Sequence, residues 1–334
     1  MSTSSVGDLS LSYMSRQRNS AIKQDIARLT EELTTGQTAD VCNEVVGNYS
    51  FLSDLEHKTD MLRGYEIATT EATQFTGAMQ LALEEFGQQV GTLSSALVSA
   101  GISPSDSSAQ ELATQAKDVF GGLISTLNTS SAGRQLFSGN TTNQRPMVDA
   151  DTILADLTAA ISSATTPADI VAQATAWFDD PAGFLASAYQ GSADPTASFA
   201  LSERQNVDLD VRASDPSFFA GLRGAAVAAL ATDPVFALTT TDQAELFGLM
   251  SNELLQGESG VITLQSRVGF AEARIEAIAT RNAAEVTSLQ LARNAMLEVD
   301  PFEAATKLEE AQFQLQSLYS VTVRMSQLSL VNFL

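Results

Sequence analysis

Cys42 and His57 are the only residues of their types in the chain. Thiol and imidazole side chains are frequent nucleophiles, general bases and zinc ligands. One cysteine forms no intramolecular disulfide, and one cysteine with one histidine is too few for a typical zinc site. His57 lies in the charged segment Leu55-Glu56-His57-Lys58, which predicts a solvated helix position. We interpret Cys42 as a small, partly buried core residue in preference to a reactive thiol.

Carboxylates offer the other candidate chemistry. Asp179-Asp180-Pro181 and the pair Asp208 and Asp210 could suggest a metal site, but no loop has the spacing of a calcium site. The sequence also lacks a phosphate loop ending in Gly-Lys-Ser/Thr, a GxSxG elbow and an HExxH motif. We therefore predict no catalytic residue, no metal and no cofactor, and a protein that is not an enzyme.

The charge balance excludes further classes of protein. Lys and Arg number 18 against 40 Asp and Glu, a formal net charge of -22 over 334 residues. This argues against nucleic-acid binding and against a polybasic membrane binder. No run of 18 apolar residues predicts a membrane span, and the first 20 residues do not resemble a cleaved secretory signal. The protein is then either cytoplasmic or exported by a route that needs no cleaved signal.

The prolines indicate how the chain is organised. Six of the eight prolines lie between residues 146 and 234, and helix interiors reject proline. We therefore predict a mainly α fold: an elongated antiparallel helical bundle or coiled-coil rod formed by both termini, with a small inserted α+β domain. The predicted divisions are a terminal coiled-coil domain (1–45 with 300–334), a helical rod domain (46–140 with 250–299) and an inserted outer domain (141–249).

Apolar stripes at helical spacing support the two arms. Ile22, Ile26, Leu29 and Leu33 follow steps of four, three and four residues, and Gly36 is a plausible helix end. A second stripe runs from 75 to 97.

The strongest stripe has an apolar residue every seven positions from 261 to 296, except at Asn282. A single polar residue in the apolar seam between two helices can set the register in which they pair. Asp300-Pro301 predicts a break before a last helix.

The middle of the chain has a different pattern. Residues 207–211 alternate apolar and acidic side chains, which predicts a strand with one solvated face. Residues 153–164 and 219–231 are typical of short helices. An intramolecular bundle would give the same stripes as an assembly of subunits. Two long terminal arms and an apolar last residue favour a subunit that completes its core with neighbours.

Three stretches resemble the flagellin superfamily, and within it the hook-associated proteins. RLTEELTTGQ (28–37) resembles the family's helix ending in a Leu-Ser/Thr-Thr-Gly turn. SAGRQLFSGNTTNQRPM (131–147) resembles the Gly-Arg-x-Leu-Phe-Ser-Gly signature that leads into the inserted domain. The last 32 residues, 303–334, resemble the family ending of Leu-Ser-Leu-x-x-Phe-Leu.

This resemblance implies a structural subunit of the bacterial flagellum, joining a hook-associated protein to the filament by helix–helix association. The implied partners are other copies of the chain, the neighbouring hook-associated protein, flagellin, the flagellar export apparatus and an export chaperone, with no nucleic acid and no membrane insertion. The implied location is extracellular, reached without a cleaved signal peptide.

Other functions stay open. The chain could be a flagellin that forms filaments alone, a secreted adhesin or enzyme that uses residues 141–249, or a cytoplasmic signalling coiled coil. For the assembly hypothesis, the predicted interface residues are apolar and lie in the two terminal stripes: Leu29, Leu33, Leu315, Leu318, Val321, Met325, Leu328, Phe333 and Leu334.

Overall fold

The computed structural model of the chain describes residues 3–44, 49–100 and 105–331. These residues are mainly α-helical, as the stripes predicted. The long helices are α1 (Thr3–Thr35), α3 (Tyr49–Ala100), α4 (Asp106–Leu127), α9 (Thr240–Leu297) and α10 (Pro301–Val331). The short helices are α2 (Val41–Glu44), α5 (Ala150–Ile161), α6 (Pro167–Asp179), α7 (Phe184–Ala188) and α8 (Phe219–Ala229). The strands are β1 (Ser130–Ser131), β2 (Arg134–Gln135), β3 (Phe199–Ser202) and β4 (Gln205–Val207).

Local sequence signals set the ends of the terminal helices. After α1, Gly36 has a φ of +69°, and its N–H donates to the Glu32 carbonyl at 2.8 Å. A glycine adopts this left-handed conformation without a steric penalty. At the start of α10, the Asp300 carboxylate accepts the N–H of Phe302 at 2.8 Å, and Pro301 takes the first helical position. Both predicted boundaries are confirmed.

The chain divides into two compact units. Unit 1 contains residues 1–62 and 283–334, and unit 2 contains residues 63–282. Helices α3 and α9 therefore contribute residues to both units. The division into three domains drawn from the proline pattern stays a prediction.

Unit 2 has one large apolar core. Its segments of α3 and α9 run antiparallel: the Gln80 side chain donates to the Gln265 carbonyl at 2.9 Å, and the Ser94 hydroxyl to the Ser251 carbonyl at 3.2 Å. Helix α8 packs against α4, and Phe218, just before α8, contacts Phe86 with 5.1 Å between ring centroids. A helix from the middle of the sequence thus completes the core.

Two small antiparallel sheets lie within unit 2. The β1–β2 hairpin turns at Ala132 and Gly133, both with positive φ, as tight hairpin turns require. The Arg134 guanidinium lies 5.2 Å from the ring centre of Phe75 and 5.8 Å from that of Phe199, and it pairs with Glu71. This arginine of the quoted GRQLFSG motif therefore ties the hairpin to α3 and β3 through cation–π contacts and an ion pair.

The strand predicted over 207–211 is wrong for most of its length, because β4 ends at Val207. Val207 pairs with Phe199, the first residue of β3, so later residues have no strand to pair with. The alternation itself is retained, with Leu209 and Val211 buried and Asp208 and Asp210 exposed. The two predicted short helices are confirmed as α5 and α8.

The candidate chemical residues lie at the surface. His57 is exposed on α3, as predicted. Cys42 is also exposed, so its assignment to the core is wrong, because the short helix α2 leaves that side chain in solvent. Among the described residues, no group of three or more His, Cys, Asp or Glu side chains could hold a metal ion. Across the same residues, no helix has the length and hydrophobicity to cross a membrane.

Candidate subunit interface

Helices α1 and α10 pack antiparallel in unit 1. The hydroxyls of Ser15 and Thr322 are hydrogen bonded at 3.5 Å near one end of the pair. At the other end, the Thr38 N–H donates to the Leu297 carbonyl at 2.8 Å, and the Val299 N–H donates to the Gly36 carbonyl at 3.1 Å. Backbone bonds therefore fix the register where the two arms meet.

Small and apolar side chains line the contact between the helices. Leu29, Ala304 and Ala311 are buried, and Ala304 and Ala311 are seven residues apart on one face of α10. Glu32 is buried as well, and its carboxylate accepts hydrogen bonds from Arg28 at 3.0 Å and from the Ala39 N–H at 3.3 Å. The buried carboxylate is thus satisfied, as burial of a charge requires.

A tyrosine links the two helices further along the pair. Tyr319 on α10 is exposed and forms side-chain hydrogen bonds with Asn19 and Lys23 on α1. The hydrogen bond with Asn19 is the main cause that lowers the pKa of the Tyr319 phenol, and the hydrogen bond with Lys23 is the second. These contacts place residues 19–23 beside residue 319.

The structure separates the predicted interface residues into three groups. Leu29 is buried, and Leu315 and Leu318 are half-buried. Leu33 is 40% exposed and Val321 is 52% exposed. The side chains of Met325 and Leu328, and all of Phe333 and Leu334, lie outside the described residues. The predicted interface stays a prediction, and within it Leu33 and Val321 are the described members that solvent reaches most.

Larger exposed apolar groups on α1 and α10 were not among the predicted residues. Phe302 is 81% exposed and Phe313 is 71% exposed. They are eleven residues apart, about three helical turns, so both lie on one face of α10. Val323, Tyr13 and Met14 are also more than half exposed. The eleven-residue spacing could have revealed the two phenylalanines, but they lie outside the apolar stripe that contains Leu315 and Leu318.

The arrangement is suited to association with other helices. Phe302 and Phe313 lie on one face of α10, about 16 Å apart, with the exposed Thr306 and Glu309 between them. We call this pair of exposed phenylalanines the α10 ridge. A two-helix pair buries one face of each helix and leaves the opposite faces to solvent, and exposed aromatic side chains grouped on one face mark sites of protein association. The ridge can therefore pack against further helices.

Comparisons with known proteins agree with this architecture. Residues 258–334 match the bacterial flagellin C-terminal helical region. A structure assigned as a flagellar hook-associated protein, from Vibrio parahaemolyticus, shares the fold with a TM-score of 0.55 and 11% identity, covering 75% of this chain and 99% of that chain. Bacillus cereus FlgL shares it with a TM-score of 0.51 and 11% identity, covering 72% and 98%. No curated protein sequence matches the chain.

At 11% identity the two structures show only that the fold is shared. The family match covers residues 258–334, in the C-terminal arm. Flagellin is a structural protein and not an enzyme, so the family match supports a structural role for the chain. The resemblance to the flagellin superfamily is therefore confirmed: residues 258–334 match the flagellin C-terminal helical region, and the chain shares its fold with the two flagellar hook-associated structures.

Proposed function

We propose that the chain is a junction subunit of the hook-associated protein 3 type, which joins a neighbouring hook-associated protein to the flagellin filament. The observation that carries this proposal is the α10 ridge on the paired termini, in a chain whose fold is shared by hook-associated proteins. The paired helices α1 and α10 form the joint. The function consists of binding neighbouring subunits through helix–helix association.

The energetics favour burial of the ridge in an assembly. Covering one phenylalanine removes enough apolar area from water to stabilise a contact by about 1.5–3 kcal/mol. Each subunit of a ring repeats the same contact, so the stabilisation recurs around the joint. The ridge, with Leu33 and Val321, supplies the surface for neighbouring copies, for the hook side and for flagellin.

Export is part of the same proposal. We infer that the chain passes unfolded through the flagellar export apparatus, without a cleaved signal peptide and with the help of an export chaperone. A chain with one cysteine carries no intramolecular disulfide that would oppose unfolding.

The test replaces both ridge residues in a strain that lacks the native gene. Phe302→Asp/Phe313→Asp should be secreted at the wild-type level but should lower the number of filaments per cell by at least about 100-fold, since two buried aromatic contacts are lost. Electron microscopy counts the filaments, and circular dichroism of the purified variant checks its helix content.

The matched control is Phe270→Asp, which changes an equally exposed phenylalanine (78%) in unit 2. It should leave the filament number close to normal. Normal filaments in the ridge variant, with wild-type secretion, would exclude the α10 ridge as the joint.

Flagellin is the second candidate, favoured by the match of residues 258–334 to a flagellin region. The strain without the gene separates the two. A junction protein leaves intact hooks and flagellin shed into the medium. A filament subunit leaves no filament and no shed flagellin, and its purified chain polymerises alone.

A further inference from the structure

Most prolines of this chain follow an aspartate. Asp-Pro occurs five times among eight prolines, at 180–181, 194–195, 215–216, 233–234 and 300–301. Aspartate makes up 20 of the 334 residues, so chance would place it before fewer than one of eight prolines. A type I turn favours aspartate at its first position and proline at its second. The repetition therefore indicates a turn that the chain uses several times.

The structure forms the same turn at three of these sites, all in unit 2. The carboxylate of the aspartate accepts the backbone N–H two residues later: Ala182 donates to Asp180 at 2.9 Å, Ser217 to Asp215 at 3.0 Å and Val235 to Asp233 at 2.9 Å. The backbone carbonyl of the same aspartate accepts the N–H three residues later, from Gly183, Phe218 and Phe236 at 2.9, 3.0 and 3.2 Å. We call these three segments the Asp-Pro turns.

The other two Asp-Pro sites have different contacts. The Asp300 carboxylate caps the start of α10 in unit 1. At Asp194 the backbone N–H donates to the Ser192 hydroxyl at 3.0 Å, and the backbone carbonyl accepts the Asn140 N–H at 3.2 Å. All three Asp-Pro turns thus lie in the connections between α6 and α9, where the helices are short.

Each Asp-Pro turn is followed at once by a buried phenylalanine. Phe184, Phe218 and Phe236 lie three or four residues after the aspartate of their turn. Phe184 and Phe218 are fully buried, and Phe236 is 6% exposed. The ring of Phe184 lies 5.5 Å from that of Phe219, which follows the second turn. The first two turns therefore bring separate segments of the sequence to one aromatic cluster.

The contacts within an Asp-Pro turn are local, whereas those that pair α3 with α9 are not. The Gln80–Gln265 and Ser94–Ser251 bonds join residues 185 and 157 positions apart. Closing a long loop costs more conformational entropy than closing a short one, and contacts between distant residues form slowly. Proline also restricts the unfolded chain, because its φ is fixed near the value that the turn needs. The turns can therefore form while the long helices are still unpaired.

We propose that the Asp-Pro turns form before α3 and α9 pair, and that they set the rate at which unit 2 folds. The turned chain holds Phe184 close to Phe219, and the neighbouring Phe218 then packs against Phe86 of α3. For a chain that is exported unfolded, as in the proposed function, this rate decides how soon a subunit can assemble. The order of folding itself does not depend on that function.

The test measures the refolding and unfolding rates of the purified full-length chain by stopped flow. Refolding starts after an unfolding pulse that is too brief for proline isomerisation. Trp177 is the only tryptophan, and its ring lies 5.7 Å from that of Phe184, so its fluorescence reports packing at the first turn. Asp180→Ala/Asp233→Ala removes the carboxylate acceptors of two turns. Asp215 is kept, because it also pairs with Arg267.

The double alanine variant should refold about tenfold more slowly than the wild type and unfold at an unchanged rate, because the lost bonds are already made in the transition state. Asp180→Asn/Asp233→Asn should refold within about twofold of the wild-type rate, since the amide oxygen of asparagine accepts the same backbone N–H. Either single alanine variant should refold about threefold more slowly, which keeps the test decisive where the double variant does not fold.

Two controls separate the turns from charge and from distant contacts. Asp118→Ala/Asp156→Ala changes the net charge by the same amount at exposed positions of α4 and α5, and it should refold like the wild type. Asn282→Ala removes the bond to the Leu201 carbonyl, 81 positions away, and should speed unfolding while leaving refolding unchanged.

Two results would overturn the proposal. Alanine variants at the turns that refold at the wild-type rate and unfold faster would show that the turns form after the rate-limiting step. Asparagine variants that refold as slowly as the alanine variants would show that the bond from the backbone N–H is not the cause.

Discussion

Asn282 interrupts the apolar seam of α9, and the structure gives the reason. It is buried, and its side-chain amide donates to the Leu201 carbonyl at 2.8 Å. Leu201 lies at the irregularity in the β3–β4 pairing, where the ladder loses its register. A buried carbonyl without a partner costs about 1–3 kcal/mol. The polar seam residue therefore satisfies the backbone of β3, and it locks α9 to that strand.

Asp215 is a second polar residue that ties distant segments together. Burial alone would raise the pKa of its carboxyl, but hydrogen bonds from Ser217 and Arg267 outweigh burial, and the pKa lies below its ordinary value of 3.8. The Arg267 guanidinium on α9 is 2.7 Å from the carboxylate. The carboxylate is thus stabilised in its charged form in the folded protein.

This shift predicts how the stability depends on pH. A lowered folded-state pKa contributes stability above the unfolded pKa, and that stability is lost as the pH falls through the folded value. Asp215→Asn should lower the free energy of unfolding by about 1–2 kcal/mol at pH 7, and the difference from the wild type should shrink below about pH 3.8. Urea titrations at pH 7 and pH 3 measure both values. A difference that stays constant between the two pH values would contradict the assigned role.

At the scale of elements, α8 and α9 approach each other closely at glycines. A Cβ added at Gly257 would lie 2.5 Å from the Gly221 nitrogen, and one added at Gly260 would lie 2.2 Å from the Ser217 carbonyl oxygen. Nearby, the buried Arg223 of α8 pairs with Glu253 of α9. Close backbone packing and a shielded ion pair therefore hold α8 on the bundle.

Three glycines of α9 allow the effect of close packing on stability to be compared within a single helix. Gly257→Ala or Gly260→Ala should lower the free energy of unfolding by about 1–3 kcal/mol, because the added methyl group meets backbone atoms that must move. Gly248→Ala is the control: nothing lies within 4 Å of its added Cβ, so the variant should gain about 0.5–1 kcal/mol from helix propensity. Thermal and urea unfolding give the values. Equal effects at the three sites would mean that close packing is not what these glycines provide.

For the molecule as a whole, the middle of the sequence belongs to the core of unit 2. Phe218 contacts the rings of Phe86 and Phe137, and Leu222 of α8 is fully buried. Residues 149–211 form α5, α6, α7 and the β3–β4 pair, and Phe178 and Phe184 among them contact the Phe219 ring of α8. The two parts of the predicted inserted domain thus contribute differently to stability.

Two replacements by a short Gly-Ser linker separate these contributions. Replacing residues 149–211 keeps α8 on α4 and should preserve cooperative unfolding with a lower midpoint, since Phe199 no longer packs on Phe75 and Phe219 loses its contacts with Phe178 and Phe184. Replacing residues 145–245 removes α8, leaves the Phe86 ring without its cover and should abolish cooperative unfolding, because several buried side chains are lost together. Circular dichroism against temperature distinguishes the two. Similar midpoints would show that α8 is dispensable.

Much of this architecture is local and therefore readable in the sequence. Prolines concentrated between 146 and 234 exclude long helices there, and stripes at helical spacing predict the helices at both ends. Gly36 and Asp300-Pro301 mark helix boundaries through their own backbone and capping preferences. The three family stretches lie in or beside these helices, so the structural role could also be inferred.

The tertiary structure decided which apolar side chains are covered. Periodicity shows that residues share a face, but the partner of that face comes from residues hundreds of positions away in sequence. Leu29 is buried against such a partner while Leu33, one turn later, is 40% exposed, and the α10 ridge lies outside the heptad stripe. The end of β4 at Val207 and the place of α8 in the core depend in the same way on contacts between distant segments, which no local pattern encodes.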